Sequence, residues 1–218
     1  WFKASATQPD GFGIKIMNAN AGAGGVRQIG RLLLFQGCGA FIEKLTGLIT
    51  SAMAGLPSTA ELSIHIFTGM SGGTGAGTFL DVCYLVQYVL SNLGFLGKAQ
   101  TCGYFFLPDV NLAKVSEADH STQKYIKGNG FASMQELDYC MNLETNGGFW
   151  EQDYGNGVVI RTQTPPVKMV NLISATDANG MLQRNSYHRA IDAAVDYVIM
   201  GFLTRPRTPT DGSEAFLH

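Results

Sequence analysis

Residues 67–78, FTGMSGGTGAGT, decide how the rest of the chain is read. They set a run of small residues between a β-branched, aromatic segment (63–68, SIHIFT) and a long apolar one (79–93, FLDVCYLVQYVLSNL). The first has the composition of a strand and the second the length of a helix, with Gly94 as its stop. Glycines in such a turn let a ligand reach the main chain without meeting a Cβ. The unpaired N–H groups and positive dipole end of the following helix then face an anion, so this order of elements predicts a phosphate cradle. The plainer alternative is a tight strand-to-helix turn with no ligand.

Three kinds of nucleotide motif use a loop of this type. A P-loop needs GxxxxGK(S/T); Gly72 and Gly77 have the spacing, but Thr78 and Phe79 follow where lysine and a hydroxyl residue belong. A dinucleotide fingerprint needs GxGxxG with an acid about 20 residues on. Gly73 and Gly75 are followed by Thr78 at the third glycine's place, and no acid closes the next strand, which disfavours an NAD or flavin enzyme. The remaining pattern, GGGTG(S/T)G, is the signature of the tubulin/FtsZ superfamily. Ser71, Gly72, Gly73, Thr74, Gly75, Ala76 and Gly77 resemble it, with Ser71 in place of the first glycine and Ala76 in place of the hydroxyl residue.

A second glycine loop precedes the first in the family's order. Asn20, Ala21, Gly22, Ala23, Gly24 and Gly25, followed by VRQIGR at 26–31, are similar to its γ-phosphate loop and helix start. Segment 125–137 (YIKGNGFASMQEL) resembles the tubulin stretch in which a tyrosine and an Asn-Ala pair open a helix. Segment 170–180 (VNLISATDANG) resembles the FtsZ strand and polar loop that end in Pro-Asn-Asp. Large bacterial tubulin-like proteins of unassigned role resemble the chain most, through the AxxxELD run at 132–138.

The resemblance implies an α/β, Rossmann-like three-layer domain whose mostly parallel sheet carries helices on both faces. It would cover 1–203, incomplete at both ends, with 204–218 as a linker or tail. It implies binding of GTP or GDP with Mg²⁺, a cation that usually keeps several waters. Gly22, Ala23, Gly24 and Gly25 would close over the γ-phosphate, and residues 71–77 would hold phosphate through backbone N–H groups, with Thr74 or Thr78 adding a hydroxyl. Asp109, after Leu107 and Pro108, falls at the sugar, although a simple turn would also explain it. Asp177 and Asn179 fall where the family reads guanine, a carboxylate accepting from both N1–H and the 2-amino group. The second base contact would come from 190–202, AIDAAVDYVIMGF, with Val195 at the contacting position, Asp196 beside it and Asp192 one turn away.

The family also implies head-to-tail self-association into filaments or rings. Hydrolysis would then be completed by a neighbour's GxxNxDxxD loop, so the catalytic acids would lie outside these 218 residues. A different class of function is a nucleotide-sensing or structural scaffold without catalysis, motivated by Ser71, Ala76 and Val195.

Composition narrows the field. With 45% hydrophobic residues the chain can form a substantial core, and at this length roughly 70% of the unfolded surface can be buried. A net charge of −2 with scattered Lys and Arg argues against a nucleic-acid surface. No leader is read at Trp1, and no apolar run reaches the roughly 18 residues of a membrane span. Cys38, Cys83, Cys102 and Cys140 form no CxxC pair, which fits a reduced cytoplasm.

Alternation predicts strands over 14–17, 63–68, 102–107 and 168–174. Helices are expected over 28–35, 40–53, 78–93, 122–142 and 187–203, with 142–157 as a surface excursion or small hairpin. Arg27, Arg31 and Glu43 read as surface charges, as do Glu136 and Asp138, which point to different helix faces. Phe149, Trp150 and Tyr154 form an exposed-looking aromatic cluster that could bind a partner, covering of the sheet edge being its commoner use, and neither His65 nor His120 has a second histidine at metal spacing.

Overall fold

A computed structural model describes residues 23–177, 179, 181 and 185–204. The strand expected over 14–17, Gly22 of the first loop and residues 205–218 of the expected tail lie outside the described residues.

Helices α1 (Arg27–Gln36) and α2 (Cys38–Met53) come first, followed by strand β1 (Leu62–Gly69) and helix α3 (Thr74–Asn92). A 3₁₀ turn (Leu96–Lys98) leads to β2 (Ala99–Phe106), a short α4 (Pro108–Leu112) and the long α5 (His120–Met141). Strands β3 (Trp150–Asp153) and β4 (Val159–Thr162) form a hairpin, and β5 (Met169–Ile173) and α6 (Ser186–Thr204) complete the order. The main sheet is parallel in the order β1-β2-β5, with Leu62 opposite Ala99 and Cys102 opposite Met169. Parallel neighbours need crossover connections, and α3 supplies the one between β1 and β2.

Alternation along the strands sends side chains to two different helical layers. On one face Ile64, Ile66 and Ala99 pack with Ile49 of α2 and with Val86, Val89 and Leu90 of α3. On the other, Phe106 and Ile173 pack with Val110, Ala190 and Tyr187, which seats α4 and α6. The chain is thus a three-layer α/β domain with helices on both faces of a parallel sheet. Helix α3 lies at its centre, with buried residues from Ala76 to Leu90. A helix apolar on nearly all sides belongs in an interior.

Local chemistry explains the ends of the main helices. Gly94 takes φ +73, the N–H of Phe95 donates to the Leu90 carbonyl (2.8 Å) and that of Gly94 to Ser91 (3.0 Å). Those two bonds make the Schellman closure that stops α3 where a glycine is available. Asp119 caps α5 by accepting from the Thr122 N–H at 3.0 Å. The hairpin packs through the aromatic trio: Trp150 stacks on Tyr84 of α3 with centroids 4.4 Å apart, and Tyr154 is buried. Only Phe149 of that trio is exposed, so the cluster serves mainly to seat the hairpin on α3.

All four cysteines are buried and unpaired. No single described helix is long and apolar enough to cross a membrane; only α1 and α2 together, bent by 70°, reach that length and composition.

Candidate functional site

The parallel strands end at one edge of the sheet. There β1 runs into residues 70–73, β2 into α4 and β5 into residues 174–177. Open α/β sheets bind ligands in the crevice outside these carboxyl ends.

Two glycine turns meet at this edge. In the first, the Val26 N–H donates to the Ala23 carbonyl at 2.9 Å, and the central residues Gly24 (φ +55) and Gly25 (φ +82) both occupy the left-handed region. That turn suits glycine at both central places. In the second, α3 begins at Thr74, four residues before the position expected from sequence, so Thr74, Gly75, Ala76 and Gly77 form a helical turn. Among the described residues the amides of Thr74, Gly75 and Ala76 have no backbone acceptor, and the Gly77 N–H is the first to close onto the helix, at Gly73.

The glycines of this cradle differ in what requires them. A Cβ on Gly73 would lie 2.7 Å from the Val26 nitrogen and 2.8 Å from the Ala23 Cβ. One on Gly75 would lie 2.6 Å from Thr68 Oγ1, and one on Gly77 would run into the Arg27 carbonyl. Gly72 alone of the four would meet nothing within 4 Å. Three of these glycines are therefore needed by the protein's own close packing, and only Gly72 leaves room for a visitor.

Side chains tie the turns together. The Ala23 N–H donates to Thr74 Oγ1 at 3.3 Å, and Asn129 Nδ2 donates to the Gly25 carbonyl (2.8 Å) and the Ser71 carbonyl (3.1 Å). The Thr78 hydroxyl instead donates to the Thr74 carbonyl on its own helix (2.9 Å), which leaves Thr74 as the hydroxyl at the turn. Ser71 is buried, its Oγ accepting from Asn111 Nδ2 at 2.8 Å.

Helix α4 links this pair of loops to the third. Two residues before Asn111, the Asp109 carboxylate accepts from Ser174 Oγ (2.6 Å), the Ala175 N–H (2.6 Å) and the Thr176 N–H (3.1 Å). Asp177 Oδ1 accepts from the N–H groups of Asn179 (2.9 Å) and Met181 (3.0 Å), an Asx-type closure of its loop. Asn179 and Asp196 are exposed, and among the described residues no hydrogen bond or ion pair joins Asp196 to the loops. The structure thus brings Ala23, Gly24 and Gly25 against residues 71–77, engages Asp109 with the loop of Asp177, and leaves Asp196 apart.

Arg27 and Arg31, read from sequence as surface charges, are internal struts. Arg27 pairs with Glu136 of α5 and donates Nε to the Ala76 carbonyl at 3.1 Å. Arg31 meets Asp81 through two bonds (2.9 and 3.0 Å) and Gln152 through a third (2.9 Å), while the Tyr154 hydroxyl donates to Asp81 Oδ1 (2.9 Å). Asp81 is 2% exposed. Burial holds its carboxyl above the ordinary carboxylate range, with Arg31 pulling the other way. These bonds lock α1 onto α3, α5 and the hairpin, and so fix the turn at 23–26 that opens α1. A cavity of about 460 Å³ among Arg27, Leu32, Phe35, Ala76, Glu136 and Trp150 shares Ala76 and Gly77 with the cradle and touches none of Gly24, Gly25, Gly72 or Thr74.

Asn111 and Asn129 escaped the sequence reading as site residues. Asn129 stands in the 125–137 segment that carried one of the resemblances, but an uncharged amide on a helix has no periodicity or spacing that marks it. No group of three or more His, Cys, Asp or Glu among the described residues is arranged to hold a metal ion.

The chain matches the family profile described as tubulin like over residues 1–211, and it belongs to that family. Nucleotide binding in general goes with that family. A search of curated proteins finds no match.

Proposed function

We propose that the protein binds GTP, with Mg²⁺, across the carboxyl edge of its sheet and assembles head to tail as a cytoskeletal GTPase in the cytoplasm. One observation carries this reading: the turn of Ala23, Gly24 and Gly25 lies against the first turn of α3, whose leading amides have no backbone acceptor. Aligned N–H groups at a helix start favour phosphate, and Gly72 leaves the main chain open to it. Neither loop holds a lysine, so positive charge would come from the helix end and from Mg²⁺ carried on phosphate oxygens and water. Guanine would be read at Asp177 and Asn179, in the loop that Asp109 holds. A head-to-tail contact is heterologous and yields filaments or closed rings.

A catalytically silent scaffold is the second reading. The family's hydroxyl is missing at Ala76, and the one that Ser71 adds is buried and bound by Asn111. Titration of the full-length protein with fluorescently labelled GTP, GDP and ATP, with phosphate release followed against protein concentration, tests both readings. Micromolar or tighter binding of the guanine nucleotides over ATP supports the first, joined by release that steepens with concentration. Binding without release supports the scaffold, and no binding of any of the three removes both.

A further inference from the structure

We infer that Asn129 is the positioning residue that orients both glycine loops at once, an inference that rests on the nucleotide reading above for its consequence but not for its geometry. Both donors of one Nδ2 are engaged, at 2.8 Å to the Gly25 carbonyl and 3.1 Å to the Ser71 carbonyl. In a trans peptide the carbonyl and the next N–H point in opposite directions. Holding the Ser71 carbonyl toward α5 therefore turns the Gly72 N–H away from α5. Holding the Gly25 carbonyl leaves the Val26 N–H directed at Ala23, where it donates at 2.9 Å and closes the turn.

The peptide before Gly72 is the one most in need of such a hold. A Cβ there would meet nothing within 4 Å, so residue 72 has no side chain or neighbouring atoms on that side to anchor the peptide. Among the described residues, another hydrogen bond between the loops, from the Ala23 N–H to Thr74 Oγ1, is longer at 3.3 Å and leaves both of these carbonyls untouched.

The flanking sequence, Lys127-Gly128-Asn129-Gly130, gives the reason α5 comes so close. A Cβ on Gly130 would run into the Pro108 ring, so glycine there lets α5 press on α4 and delivers the neighbouring Asn129 to the loops. Glycine and asparagine are poor helix formers, and two of them in succession inside α5 call for a compensating use. Aspartate would keep the shape of Asn129 but has no donor, and serine would keep one donor on a shorter arm.

The test uses the full-length protein and its Asn129→Ala, Asn129→Asp and Asn129→Ser variants. It reads hydrogen exchange without nucleotide, the dissociation constant for labelled GTP, and the melting temperature. Asn129→Ala should speed exchange at 23–26 and 71–74 together while leaving 99–106 unchanged. It should weaken GTP by about 30-fold, the equivalent of two lost hydrogen bonds, with the melting point moving by less than about 5 °C. Asn129→Asp should do at least as much, and Asn129→Ser should fall between. If Asn129→Ala fails to fold, the serine variant gives the same comparison with a smaller effect. Loosening of one loop only, unchanged exchange, or affinity that falls only in step with the melting temperature would overturn the inference. If the wild-type protein binds no nucleotide, the functional reading fails, and the exchange comparison still decides the role of Asn129.

Discussion

The main-chain N–H of Ala23 donates to the side-chain oxygen of Thr74 across 3.3 Å, joining two glycine turns 51 residues apart in sequence. Thr74 is exposed while Ala23 is buried, so an exposed residue supplies the acceptor for a buried residue's amide. Replacing Thr74 by Val removes the acceptor and strands a buried donor, which costs about 1–2 kcal/mol. Thr74→Ser restores the bond. Denaturant titration of the three proteins checks the stability, and nucleotide affinity should fall about tenfold in the valine variant alone.

The glycines separate packing from ligand access. Gly77→Ala drives a methyl group into the Arg27 carbonyl and should cost about 3 kcal/mol or prevent folding. Gly72→Val meets only open space and should leave stability within about 1 kcal/mol. It should nevertheless abolish nucleotide binding. A Gly72→Val protein that is folded and binds nucleotide normally would place the ligand elsewhere.

Arg31 and Asp81 give a prediction with a defined pH dependence. Arg31→Met leaves Asp81 buried without its cation and should cost about 3–5 kcal/mol at neutral pH, and adding Asp81→Leu should recover most of it. Burial raises the Asp81 carboxyl above its ordinary 3.8, and losing Arg31 raises it further. A raised acid binds its proton more readily folded than unfolded, so its contribution is fullest below 3.8 and is lost as pH rises through the folded value. The deficit of Arg31→Met should therefore be smallest near pH 4 and grow toward pH 7, as followed by urea unfolding at each pH.

Burial also pushes the thiols of Cys83 to about 12 and Cys140 to about 11. Both should resist iodoacetamide at pH 8 in the native protein and react once it is unfolded, as read by mass spectrometry. Stability should decline as pH rises above about 9, where unfolded thiols ionise and folded ones do not.

The sheet was legible because its strands are apolar and bounded by glycine or proline: 63–68 and 102–107 fall within a few residues of β1 and β2. The start of α3 was not, since glycine reads locally as a loop former. Only the tertiary approach of Ala23, Thr68 and Arg27 shows why a helix runs through Gly75 and Gly77. Arg27 and Arg31 looked exposed because their partners Glu136 and Asp81 lie 109 and 50 residues away. Asn129 was hidden for the same reason, its acceptors being 104 and 58 residues distant. The two glycine loops were recognisable one by one, and what no local pattern reveals is the side-chain lattice that holds them together.

The most direct test is the identity of whatever nucleotide the full-length protein carries when purified natively without added ligand, released by denaturation and resolved by anion-exchange chromatography. A guanine-nucleotide site at this loop should release GTP or GDP in near-stoichiometric amount from the wild type and none from Gly72→Val. Adenine or nicotinamide nucleotides in their place, or equal guanine nucleotide from both proteins, would contradict it.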